Sequence, residues 1–145
     1  MQDVLSKKGY QEIIETIPLV SDDLQVYYYT TNHRIDNKYV RLLNDLIQAN
    51  DEIIAQWLNI TPKTFRNYKS KDLSLKDNTK EHIVLLLSLY KHGHEVFGSI
   101  EKFENWLMAK NYLLDGKAPM EFLDTISGIK FIDNRLTSIE YGENA

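Results

Sequence analysis

Thr61, Lys63, Thr64, Arg66, Asn67, Lys69 and Lys71 place four cations and three hydrogen-bonding side chains within eleven residues. That combination suits nucleic acid. Lysine neutralises phosphates as a point charge, while arginine and asparagine make paired hydrogen bonds to base edges. The spacing predicts a helix. Thr61 can accept a backbone N–H as its N-cap, and Pro62 fits the first helical position, where its missing N–H costs nothing. Phe65 and Tyr68 then turn inward, and Lys63, Thr64, Arg66, Asn67 and Lys69 turn outward. Lys63 and Lys69 are expected on phosphates, and Arg66 and Asn67 at base edges.

Other chemistry finds less support. His92 and His94 lie two apart, so on a helix they point to nearly opposite sides and cannot share a metal. His82 and His92 also miss the i, i+4 spacing of a helical metal pair. There is no Gly-rich phosphate loop, no nucleophile in a recognisable context and no His-Glu-x-x-His. Carboxylates are plentiful, but on amphipathic helices they read as solvated faces. No catalytic residue, cofactor or metal is expected.

The basic helix needs a frame. Asn50 or Asp51 caps a preceding helix whose inner face is Ile53, Ile54, Trp57 and Leu58, with small Ala55 where two helices can approach. Asn59-Ile60-Thr61 makes a short turn. Together these form a helix-turn-helix pattern, although the turn lacks the glycine often found there. A helical hairpin used only for packing is the other reading. Upstream, Asp36 caps a helix with Tyr39, Leu42, Leu43, Leu46 and Ile47 on one face. Downstream, Ser70 to Asn78 is a charged connection, and Thr79 to Val96 is an apolar helix with little room for a polar face.

Residues 1–34 are harder to read. Tyr10, Ile13, Ile14 and Ile17 suit a short helix that stops before Pro18. The alternation of Leu24, Val26, Tyr28 and Thr30 predicts a short strand. Tyr27, Tyr28 and Tyr29 suit either base stacking or half-burial against a neighbouring domain or a dimer partner.

The net charge of −4 argues against nucleic-acid binding over the whole surface. Its distribution is uneven: Trp57 to Lys80 holds six basic and two acidic residues, Gly93 to Ala145 five basic and nine acidic. A basic middle and an acidic end suggest two different partners. The absence of cysteine fits the cytoplasm. MQDVLSKKGY carries no apolar core of a secretory signal, and the apolar run Ile83 to Leu87 is too short to span a bilayer. At 145 residues the chain suits one domain or two small ones.

Val96 to Gly142 reads as three short helices. Gly98 ends the preceding helix and Ser99 caps the next, with Phe103, Trp106 and Leu107 on one face. Asn111 to Lys117 connects, with Gly116 in its turn. Pro119 starts the second helix, Met120, Phe122 and Leu123 supply apolar contacts, and Gly128 breaks the run. Ile129, Ile132, Leu136 and Ile139 form the last stripe, and Gly142 closes it. The ordered set Phe97-Gly98, Trp106-Leu107, Asn111, Leu114, Gly116, Pro119, Leu123, Gly128, Leu136, Ile139 and Tyr141-Gly142 resembles the toxin-binding domain of Xre/MbcA/ParS antitoxins. Tyr112-Leu113 departs from it, since the family usually has smaller or more polar residues there. The helix-turn-helix extends the likeness.

The resemblance implies an all-α fold. A helix-turn-helix domain at 35–78 would follow an N-terminal segment at 1–34, with a central helix at 79–95 leading to a toxin-binding domain at 96–145. It implies a type II antitoxin that binds operator DNA as a homodimer and autorepressor. Its partner would be a toxin of the RES, ParT or MbcT kind, with an ADP-ribosyltransferase-like fold that consumes NAD. The alternative is a stand-alone transcriptional regulator. Arg135, Ser138, Glu140, Tyr141, Gly142, Glu143, Asn144 and Ala145 are the expected toxin contacts. Glu143 and a terminal carboxylate on Ala145 would sit where the toxin holds a dinucleotide diphosphate, with Tyr141 in an adjacent subsite and Arg135 and Ser138 at the entrance. A frayed tail, with the toxin held only by helix faces, is the competing expectation.

Overall fold

The computed structural model describes residues 4–48 and 50–142. Eight α-helices follow one another there: α1 Gln11–Thr16, α2 Asp23–Asn32, α3 Asn37–Leu46, α4 Asp51–Leu58, α5 Pro62–Ser70, α6 Asp77–Phe97, α7 Ile100–Met108 and α8 Ile126–Glu140. Short 3-10 turns occur at Val4–Ser6, Lys8–Tyr10, Tyr112–Leu114 and Pro119–Phe122. Among the described residues there is no strand, only one isolated bridge between Asn111 and Lys117. The all-α class is as expected.

The molecule is built around α6. His82 to Tyr90 are buried without interruption, so every face of that stretch is covered. The cover comes from α2, α3, α4, α7 and α8, all of which pack on it. One apolar core runs from Ile13 to Leu136. The N-terminal segment contributes Ile13, Ile17, Val20, Val26 and Tyr29 to it.

Local chemistry sets most helix starts. The side chain of Asp36 accepts from Lys38 N–H, Asn50 from Ile53, Thr61 from Thr64, Ser99 from Lys102 and Thr125 from Gly128. Two expectations fail. The strand expected over Leu24 to Thr30 is instead helix α2. Asp22 caps it by accepting from Gln25 N–H at 3.2 Å, and the buried residues Val26 and Tyr29 are three apart, as a helix requires. The alternating polarity was a coincidence of Leu24 and Tyr28 facing solvent. Gly128 does not break a run either. It lies in the first turn of α8, where a Cβ would stand 1.8 Å from the carbonyl oxygen of Phe122. Glycine there lets the preceding 3-10 turn lie directly on the helix.

Candidate functional site

Two faces hold the residues singled out in the sequence. The first is α4, its turn and α5. Ile54, Ala55, Trp57, Leu58 and Phe65 form the inner side. Asn59 takes the left-handed conformation at φ 59° that glycine would usually supply, and its N–H reaches Ala55 O and Gln56 O. Its side-chain amide also donates to Asp124 O at 3.0 Å, tying the turn to the segment before α8. Asparagine tolerates positive φ better than most residues, and that is the signal which offsets the missing glycine.

On α5, Lys63, Arg66 and the following Lys71 face solvent, and Asn67 is half-exposed. Thr61 and Thr64 share a hydroxyl hydrogen bond of 2.9 Å in the N-terminal turn. Arg66 Nη1 stands 3.9 Å from Asp51 Oδ2. Lys69 departs from expectation. Its Nζ donates to Asp51 Oδ1 at 2.9 Å and Asn44 Oδ1 at 3.2 Å, and it lies 5.0 Å above the Phe65 ring. It fastens α5 to α3 and α4 instead of facing out, because Asp51 and Asn44 offer it fixed partners beside an aromatic face.

The second face is built from the end of α6, α7, the 109–125 segment and α8. Phe103 is fully buried over Gly93, where any Cβ would come within 2.4 Å of its ring. Phe97, Phe103 and Trp106 form a cluster with ring centroids 5.6–6.2 Å apart. Trp106 is half-buried, less than the sequence suggests, and its Nε1 is enclosed without a hydrogen-bond partner. Tyr90 donates to Glu104 at 2.7 Å, and Glu104 also accepts from Gln48 N–H, so burial raises its pKa while these bonds oppose the rise.

His92 joins α6 to α8. One ring nitrogen meets Asp133 Oδ1 at 2.7 Å and the other Glu140 Oε1 at 3.2 Å. The Asp133 hydrogen bond, helped by Glu140 and opposed by burial, lifts its pKa to about 9, so it is an imidazolium donating from both nitrogens at neutral pH. His82 is its opposite: burial lowers its pKa, and the neutral ring donates from Nε2 to Leu123 O at 2.9 Å. Neither histidine pairing was legible in the sequence, since Leu123 and Asp133 lie 41 residues and Glu140 48 residues from the ring each meets.

The expected toxin contacts gather at the end of α8. Glu140 is held by His92, and the Ser138 hydroxyl donates to Asn134 O at 3.3 Å. Arg135 is half-buried, Tyr141 is 81% exposed, and Gly142 turns the chain at φ 84°. Glu143, Asn144 and Ala145 lie outside the described residues. Met108, Tyr112, Leu113 and Phe131 add large exposed apolar side chains on the same segment of chain. Tyr112 and Leu113 project from a hydrogen-bonded turn. Asn111 accepts from Leu113 N–H at 2.9 Å, its N–H bonds Lys117 O at 3.0 Å, Leu114 is buried, and Gly116 takes φ 77°.

The second face is thus a helical module joined by His92 that exposes several large apolar side chains. Residues 92–142 match the family described as the antitoxin Xre/MbcA/ParS C-terminal toxin-binding domain. The match spans about a third of the chain, so it marks that stretch as similar to an antitoxin toxin-binding domain. A comparison with curated proteins gives no match. No helix among the described residues is long and apolar enough to cross a membrane.

Proposed function

We propose that the chain neutralises a cognate NAD-consuming toxin of ADP-ribosyltransferase-like fold through its C-terminal domain and represses its own operon through α4 and α5. The match over residues 92–142 carries the first half. Tyr112, Leu113, Met108, Phe131 and Tyr141 support it, because a partner that covers large exposed apolar side chains removes their surface from water. Tyr141, at the end of α8 beside Arg135 and Ser138, enters or borders the toxin's nucleotide pocket. A partner that must hold a diphosphate presents cations there, and the acidic C-terminal third of this chain suits them.

The second half rests on the capped helix-turn-helix and on Lys63, Arg66 and Lys71 facing outward from it. Arg66 and Asn67 address base edges, and Lys63 and Lys71 address phosphates. The protein binds as a symmetric dimer on a palindromic site, with half-sites roughly 34 Å apart. The test is co-purification of the tagged chain with the protein encoded by the adjacent reading frame, together with a gel shift on the upstream DNA. A retained partner and a shifted fragment are expected. DNA binding with no retained partner would mean a stand-alone regulator, and retention without a shift would confine the protein to neutralisation.

A further inference from the structure

Helix α2 has two apolar sides. Val26 and Tyr29 face the core, and the Tyr29 hydroxyl bonds that of Tyr39 at 2.8 Å. Leu24, Tyr27, Tyr28 and Thr31 follow the i, i+3, i+4, i+7 pattern on the other side. Leu24 is 60% exposed, Tyr27 62% and Tyr28 48%. The two tyrosine rings meet edge to face at 5.6 Å, so they form one surface. Thr31 extends it as an apolar group, because its hydroxyl is spent on Tyr27 O at 3.0 Å.

From the geometry we infer that this stripe is the contact through which the chain binds a second copy of itself. Three observations select that occupant. The stripe is uncharged, so it can meet itself without repulsion, and its border holds both signs in Asp23, Lys80 and Glu81. A groove opens beside it, running from Tyr27 and Thr31 to Lys80 and Glu81 at the start of α6. A projecting ring next to a groove is what a two-fold contact needs, since one surface must supply both halves. Size also fits. The two rings and Leu24 leave on the order of 300 Å² of surface uncovered, enough for the apolar centre of an interface of roughly 800 Å² per partner.

A nucleic-acid strand fits this face poorly. It needs free cations along the stacking rings. The cations nearby are paired: Lys130 with Asp23 at 2.7 Å and Lys80 with Asp77 at 3.8 Å. The stripe lies outside residues 92–142, and Asp23 at its start is paired with Lys130 of α8. The inference takes its purpose from the two-fold operator reading above, though its contacts do not depend on that reading.

The experiment is sedimentation of the full chain between 1 and 200 µM, roughly the range in which small interfaces associate, against Leu24→Glu/Tyr28→Glu. A reversible dimer is expected, with association weakened at least ~30-fold in the double variant at unchanged far-ultraviolet circular dichroism. The chain has no cysteine, so Thr31→Cys gives a cross-link that needs no destabilising change. It should form a disulfide dimer under mild oxidation, while Lys110→Cys, exposed in the loop after α7, should not. A chain monomeric throughout, or a double variant that associates like wild type, overturns the inference. Promoter shifts separate it from the operator reading. If dimers persist in the double variant and DNA still binds, only the stripe is wrong. If the stripe controls dimerisation but no promoter shifts, the operator reading falls alone.

Discussion

His92 is the residue with the clearest pH signature. Its folded-state pKa, about 9, lies above the ordinary histidine value of 6.5. The sign follows from proton binding. The folded state holds the proton more tightly, so the stabilisation is complete below about pH 6.5 and is lost as pH rises through about 9. Asp133 is buried and Glu140 half open to solvent, so screening trims the effect to about 1–2 kcal/mol. The melting temperature should fall between pH 6.5 and 9 in the wild type. In His92→Gln it should be lower at pH 6.5 and nearly flat across the same interval. Trp106 makes a second case at this scale. Half-buried against Phe97 and Phe103, its removal in Trp106→Ala should cost about 2–4 kcal/mol by denaturant unfolding, with some relief because the unpartnered Nε1 goes too. An unchanged unfolding midpoint would show that this ring is not part of the core.

At the scale of elements, α5 separates two kinds of cation. Lys69 is locked between Asp51, Asn44 and the Phe65 ring, while Lys63 and Lys71 project. Lys69→Ala should destabilise the fold by about 1–3 kcal/mol, because it removes the 2.9 Å partner of Asp51 and leaves that mostly covered carboxylate only Arg66 at 3.9 Å. Lys63→Ala and Lys71→Ala should leave the melting temperature unchanged and each reduce the salt slope of promoter binding by about 1. Arg66→Ala should cost about 1–3 kcal/mol per half-site and relax specificity there. The α5 helix itself was legible from Thr61 and Pro62, because caps act over three or four residues. Which lysine faces out was not, because Asp51 and Asn44 reach Lys69 from other helices. Helix α2 shows the converse failure. Alternation over Leu24, Val26, Tyr28 and Thr30 looked like a strand, yet the cap at Asp22 and the pair Val26 and Tyr29 carried the correct period.

For the whole molecule, α6 connects the two faces. It carries His82 toward the 123–125 turn and His92 toward α8, and Asn59 between α4 and α5 holds that same turn at Asp124 O. The C-terminal domain was readable because its glycines, caps and Ile stripe follow a recognised order. The links across the core were invisible, since each joins residues more than 40 apart in sequence. In the function proposed above, this domain silences an NAD-consuming partner. The most direct measurement is NAD consumption by the purified product of the adjacent reading frame, titrated with the full chain. Consumption should fall to background at a fixed stoichiometric ratio, and Tyr141→Ala should shift the titration to higher protein without changing the chain's melting temperature. NAD consumption that persists at a large excess of the wild-type chain would contradict the account.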